Sequence, residues 1–201
     1  MTALRKHPTQ DRSKQRVERI VDAATRVFAE AGYEAATTEA IASRAGVSIG
    51  SLYQFFPNKR ALMDAVSHRY YDEIRVLFEA LTSTPRPWNE LLDETIDGFW
   101  LFHKTSPGFQ AIYKSFMLSP DLLASGDALN REIARRLADV IERYSRIEKK
   151  HREIVATLVV ETISTMLLIG GRMKEPRASG LIAETKIMLQ RYLAPYVSKK
   201  T

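Results

Sequence analysis

The chain has 201 residues, no cysteine, 30 Lys and Arg against 24 Asp and Glu, and a formal net charge of +6. Disulfides, zinc–thiolate centres and a thiol nucleophile are excluded, and the positive balance suits a polyanionic partner. With 45% hydrophobic and 27% charged residues, the length allows one large or two small domains with their own cores.

Residues 1–12 are polar, carrying Arg5, Lys6, Arg12 and Pro8. They are expected to form a flexible basic arm, either a simple tail or a segment that follows a DNA minor groove. They lack the apolar core of a signal peptide. Ser13 is placed to cap a long helix on which Val17, Ile20, Val21, Ala24, Phe28 and Ala31 share one stripe. Gly32 is expected to end it.

The stretch from Thr37 to Lys59 predicts two short helices joined by a tight turn. Thr38 is expected to cap the first, with Glu39 in the first turn where the helix dipole favours an acid. Gly46 takes the left-handed position at the helix end, and Ser48 caps the second helix. Leu52 and Phe56, four apart, point inward. That leaves Ser48, Gly50, Ser51, Tyr53 and Gln54 outside, a face without carboxylates that suits a nucleic-acid groove. Pro57 stops this helix and Asn58 caps the next, which opens with Lys59-Arg60. Two cations there oppose the macrodipole. A phosphate at that point explains them, and so do two solvated charges.

From Asn58 to Leu81 the helical repeat persists through Leu62, Val66, Tyr70, Ile74 and Leu77. A helix of about 23 residues spans roughly 35 Å, long enough to act as a lever out of the head. After a proline-containing break at 82–87, a helix runs to about His103, with Leu91, Leu92, Thr95, Ile96, Phe99 and Trp100 inward. Ser106-Pro107 starts a short helix bearing Phe109, Ile112, Tyr113, Phe116 and Met117. Ser119-Pro120 repeats that signal, and Ser125-Gly126-Asp127 is expected to interrupt before a helix to about Tyr144. From Ile154 to Ile169 the chain is apolar on most sides, which predicts burial on two faces. Thr157, Glu161, Thr162, Ser164 and Thr165 leave it short of the roughly 20 apolar residues of a membrane span. The expectation is a soluble, cytoplasmic protein. The last two helices carry more apolar surface than one core uses, so a dimer seam is placed on Leu181, Thr185, Met188, Leu189 and Tyr192.

No strand pattern appears, and the fold class is all-α. The four histidines are widely spaced, with no metal-binding pair, phosphate loop or nucleophile elbow. No catalytic residue, metal or cofactor is expected. Phe99, Trp100, His103, Tyr113 and Phe116 form an aromatic group that is either ordinary core or the wall of a small-molecule pocket. Glu161 in its apolar helix is either paired, at a seam or facing that ligand.

The run Thr37 to Lys59, with its Thr-Thr, Ala-Gly-Val-Ser, Gly-Ser-Leu-Tyr and Phe-Phe-Pro-Asn-Lys, resembles the DNA-binding signature of TetR-type transcriptional regulators. The resemblance by motif covers roughly residues 13–66. It implies a homodimer that binds a palindromic double-stranded operator, as a repressor, and lets go when a small molecule enters the C-terminal domain. The arm would be 1–12, the three-helix helix-turn-helix head 13–66, and the ligand-sensing and dimerisation domain 67–201. Thr38, Tyr53 and Lys59 would then anchor phosphates, with Thr37 also among the DNA-binding residues. Ser48, Ser51 and Gln54 would read bases, Gln54 being able to pair with adenine, and Gly50 would admit close approach. Phe55 departs from the Tyr or His common in the family, and Arg60 from a common acid. The competing reading is a helical carrier of apolar small molecules whose basic surface is incidental.

Overall fold

The computed structural model describes residues 11–109 and 120–197, and among them every regular element is a helix. They are α1 (Asp11–Ala35), α2 (Thr38–Ala45), α3 (Ile49–Phe55), α4 (Lys59–Thr82), α5 (Trp88–Thr105), α6 (Pro120–Glu142), α7 (Lys149–Gly170) and α8 (Arg177–Leu193). The chain divides into two compact units. One holds the residues up to Glu73 with the stretch from Ser106, and the other holds Ile74–Thr105 with the residues from Ala124.

In the first unit, α1 bends at Gly32, whose φ of 79° only glycine adopts without strain. Its stripe delivers Ile20, Ala24 and Phe28, all fully buried, to a core completed by Ile41, Leu52, Phe56, Leu62 and Met63. Arg69 on α4 is held by Asp22 and Thr25 of α1. A buried hydroxyl and two side-chain charges thus fix α4 against α1.

In the second unit, α8 turns Ala178, Ile182, Thr185, Leu189 and Leu193 inward at helical spacing. Its outer polar groups pin it to α5: Lys186 Nζ lies 2.5 Å from Asp97, and Gln190 donates to Asp93 at 2.7 Å. Arg75 Nε donates to both carboxylate oxygens of Glu132 at 3.1 and 3.0 Å, tying the end of α4 to α6.

Three local expectations are corrected. Ser125-Gly126-Asp127 does not interrupt, because α6 runs through it; an isolated glycine costs a helix only about 1 kcal/mol. By length and mean hydropathy (1.7) α7 is long and apolar enough to cross a membrane, because its hydroxyls and the carboxylates of Glu153 and Glu161 do not outweigh its aliphatic side chains. It is buried on one face rather than two: Val155, Ala156, Val159 and Val160 are covered, while Ile154 is 58% and Leu158 42% exposed. The short helix expected over Phe109 to Met117 lies mostly outside the described residues, as do residues 1–10 of the arm.

Candidate nucleic-acid interface

The helix-turn-helix is built by local capping. Thr37, not Thr38, is the N-cap of α2: its Oγ1 accepts from the Ala40 N–H at 3.1 Å. This frees the Thr38 hydroxyl, which lies 3.0 Å from the Tyr53 hydroxyl on α3. The cap moves by one residue because Thr37 has the extended backbone an N-cap requires (φ −117°, ψ 153°). At the other end Gly46 is left-handed (φ 63°), with its N–H on Ser43 O and the Val47 N–H on Ala42 O, a Schellman closure. Ser48 caps α3, its Oγ accepting from the Ser51 N–H at 3.2 Å.

Leu52, Phe55 and Phe56 anchor α3 from within. Phe55 is therefore core and offers nothing to a phosphate. The outward face presents Ser48, Gly50, Tyr53 and Gln54 exposed and Ser51 half-buried. A Cβ at Gly50 would meet nothing in the protein within 4 Å, so this glycine keeps the surface flat rather than relieving an internal clash. Sequence reasoning missed Ile49, 38% exposed on the same helix. Its signal was a β-branched apolar residue directly after a cap and off the inward stripe, the kind of group that touches a thymine methyl.

The cations around this face are partly engaged. Arg44 on α2 pairs with Glu30 at 2.6 Å, which draws the Glu30 carboxyl below its usual range. Arg60 pairs with its i+4 neighbour Asp64 at 2.8 Å. Lys59 donates to the carbonyl oxygens of Glu34 and Ala36. In this structure the ammonium points to the end of α1. Arg12, Lys14 and Arg19 stand exposed along the start of α1.

The remaining candidate residues lie elsewhere. Phe99 is buried, and its carbonyl oxygen accepts from His103 Nδ1 at 2.8 Å. Burial lowers the His103 pKa to about 4, against the raising effect of that hydrogen bond. Trp100 is half-buried: its ring is the nearest neighbour of Gly170, and the Lys104 ammonium sits 5.4 Å from its centre. Tyr113 and Phe116 lie outside the described residues. Glu161 does not join this group; it is exposed and accepts from Asn130 Nδ2 at 3.1 Å, and Asn130 in turn accepts from Ser164. On α8, Leu181 and Tyr192 are half-buried and Met188 is 49% exposed. Thr185 and Leu189 are corrected as seam residues, because the protomer's own core already buries them.

Two family models account for most of the chain. The model for bacterial regulatory proteins of the tetR family matches residues 20–66. The tetracyclin repressor-like C-terminal domain matches 87–193, more than half of the sequence. The chain belongs to the tetR family. The regulator is 28% identical over 148 residues to the HTH-type transcriptional activator FasR of Mycolicibacterium smegmatis, covering 73% of this chain and 68% of the relative. It is 39% identical over 61 residues to the HTH-type transcriptional repressor KstR of Rhodococcus jostii, a match spanning 30% of this chain and 29% of that one. A TetR-family transcriptional regulator from Streptomyces coelicolor superimposes with a TM-score of 0.65 at 28% identity, covering 90% of this chain and 99% of the other. The regulator is thus a DNA-binding transcription factor, and the family's members are regulators rather than enzymes.

Proposed function

We propose that the regulator is a cytoplasmic homodimeric repressor that binds a palindromic operator through α3 and is released by a small apolar ligand. The observation that carries the DNA reading is the outward face of α3, flat at Gly50 and acid-free, with the Thr38 and Tyr53 hydroxyls side by side at its edge. Thr37, Thr38 and Tyr53 hold phosphates, Ser48, Ser51 and Gln54 read base edges, and Ile49 supplies an apolar contact.

Dimerisation rests on apolar surface that the protomer leaves open on α7 and α8: Ile154, Leu158, Ile187 and Met188 are all 40–58% exposed. An isologous four-helix contact would cover it. The effector site is proposed at Phe99, Trp100 and His103, a mostly apolar group whose histidine stays neutral at pH 7. To empty an operator that is almost full, the ligand must favour the DNA-incompetent state by about 5.5 kcal/mol.

Activation is the second reading, favoured by the FasR match, which is longer than the KstR match. The experiment is a reporter driven by a promoter that overlaps a duplex selected by the purified chain. Repression requires reporter output to rise on deleting the regulator, and activation requires it to fall. Unchanged output would remove both.

A further inference from the structure

Two cations open α4, where the helix dipole disfavours them. The structure gives each a protein partner. Arg60 Nε donates to Asp64 Oδ1. Lys59 turns away from its own helix: Nζ donates to the Glu34 carbonyl oxygen at 3.0 Å and to the Ala36 carbonyl oxygen at 3.1 Å. The same ammonium lies 4.6 Å from the centre of the Tyr33 ring. An ammonium has three donors, and two of them are satisfied here. The carbonyls at the C-terminal end of a helix lack helical partners and carry the negative end of the dipole, so they are natural acceptors for a cation.

The positions of these groups in the chain matter more than their strength. Ala36 directly precedes Thr37, the cap of α2, and Glu34 lies three residues before it. Lys59 comes directly after Asn58, whose Oδ1 accepts from the Ala61 N–H at 2.9 Å and caps α4. The Lys59 contact therefore joins the segment that enters the helix-turn-helix to the segment that leaves it.

We propose that Lys59 is a positioning residue for DNA binding and not a phosphate contact. It closes the chain from Ala36 to Lys59 into a ring that contains only α2 and α3. Closing that ring lowers the number of arrangements the two helices can take. It holds the pair in the one that brings the Thr38 and Tyr53 hydroxyls to 3.0 Å. Tyr33 is the second half of the device, since its ring fixes the direction of the ammonium. This inference rests on the regulator binding DNA through α3.

The test uses the full chain with Lys59→Met, which keeps the stem and removes the charge, and Tyr33→Leu, which keeps the charge and removes its platform. Binding to a duplex selected by the wild-type chain is followed across a potassium chloride series, and amide hydrogen exchange is read without DNA. Both variants are expected to bind roughly tenfold more weakly. Both should keep the wild-type slope of log affinity against log salt, and both should exchange faster at the first turns of α2 and α3. A Lys59→Met slope smaller in magnitude by about 1, with Tyr33→Leu binding like wild type, would make Lys59 a phosphate contact and overturn the proposal. Unchanged exchange in both variants would overturn it as well. A wild-type chain that selected no duplex would count against the DNA reading itself, while the exchange measurement would still decide the role of Lys59.

Discussion

The hydroxyls of Thr38 and Tyr53 lie 3.0 Å apart, one on each helix of the helix-turn-helix. Two hydroxyls at that distance share one hydrogen, and the Thr38 hydroxyl also donates a long bond to Glu39 Oε2 at 3.4 Å. A phosphate oxygen beside the pair would have to take that hydrogen over from Glu39. Tyr53→Phe removes the phenol oxygen and keeps the ring. It is expected to weaken binding to all duplexes alike by about 0.5–1.5 kcal/mol, measured by fluorescence anisotropy on matched and scrambled sequences. A loss confined to one sequence would assign Tyr53 to base reading instead.

Gly50 separates stability from binding. A methyl there meets nothing in the protein, and alanine is the better helix former by roughly 0.5–1 kcal/mol. Gly50→Ala should raise the melting temperature slightly while lowering DNA affinity. Equal or tighter binding by this variant would show that the α3 backbone does not approach DNA closely at residue 50.

The seam prediction follows from exposure. Met188 and Ile154 are open on the protomer surface, whereas Leu189 is fully buried. Met188→Glu and Ile154→Glu are expected to give folded monomers by sedimentation. Leu189→Glu places a charge in the core and should instead cost the fold several kcal/mol. Dimers that survive both surface substitutions would place the contact on another face.

His103 makes stability depend on acid. Its folded pKa of about 4 lies below the ordinary value of 6.5, because burial disfavours the charged ring. The unfolded chain therefore binds the proton more readily. The stability this residue contributes is complete above about pH 6.5 and is lost as the pH falls through 4, up to about 3 kcal/mol in all. Urea titrations at pH 7.5 and 4.5 should show a smaller acid loss for His103→Leu than for wild type. Identical losses would mean that other groups carry the acid sensitivity.

Patterns set within a few residues were legible in the sequence. The Ser48 cap, the left-handed Gly46 and the inward Leu52 and Phe56 all follow from local spacing, and the structure has them as read, while Gly32 bends α1 rather than ending it. What escaped depends on partners far along the chain. Lys59 donates to the carbonyl oxygens of Glu34 and Ala36, and nothing in its own helix announces them. Arg152 looks like one of several surface cations, yet it is buried and donates to Glu142 at 2.8 Å and to the Ile147 carbonyl oxygen. Periodicity could not rank Met188 against Leu189, neighbours on one helix with opposite fates. Their difference is set by where α5 and α7 pack. The Thr37 cap was missed for a smaller reason, because two adjacent threonines compete for one position and only backbone geometry decides between them.

If α3 reads a base edge with Gln54, base preference at single positions reports it. Wild type and Gln54→Ala are each used to select duplexes from a random pool, and relative affinities are measured at every position of the enriched site. Gln54→Ala is expected to lose preference at two base pairs related by the two-fold of the site. Each should lose about 1–3 kcal/mol of discrimination, with the other positions unchanged. An identical preference profile for the two proteins, at any overall affinity, would contradict it.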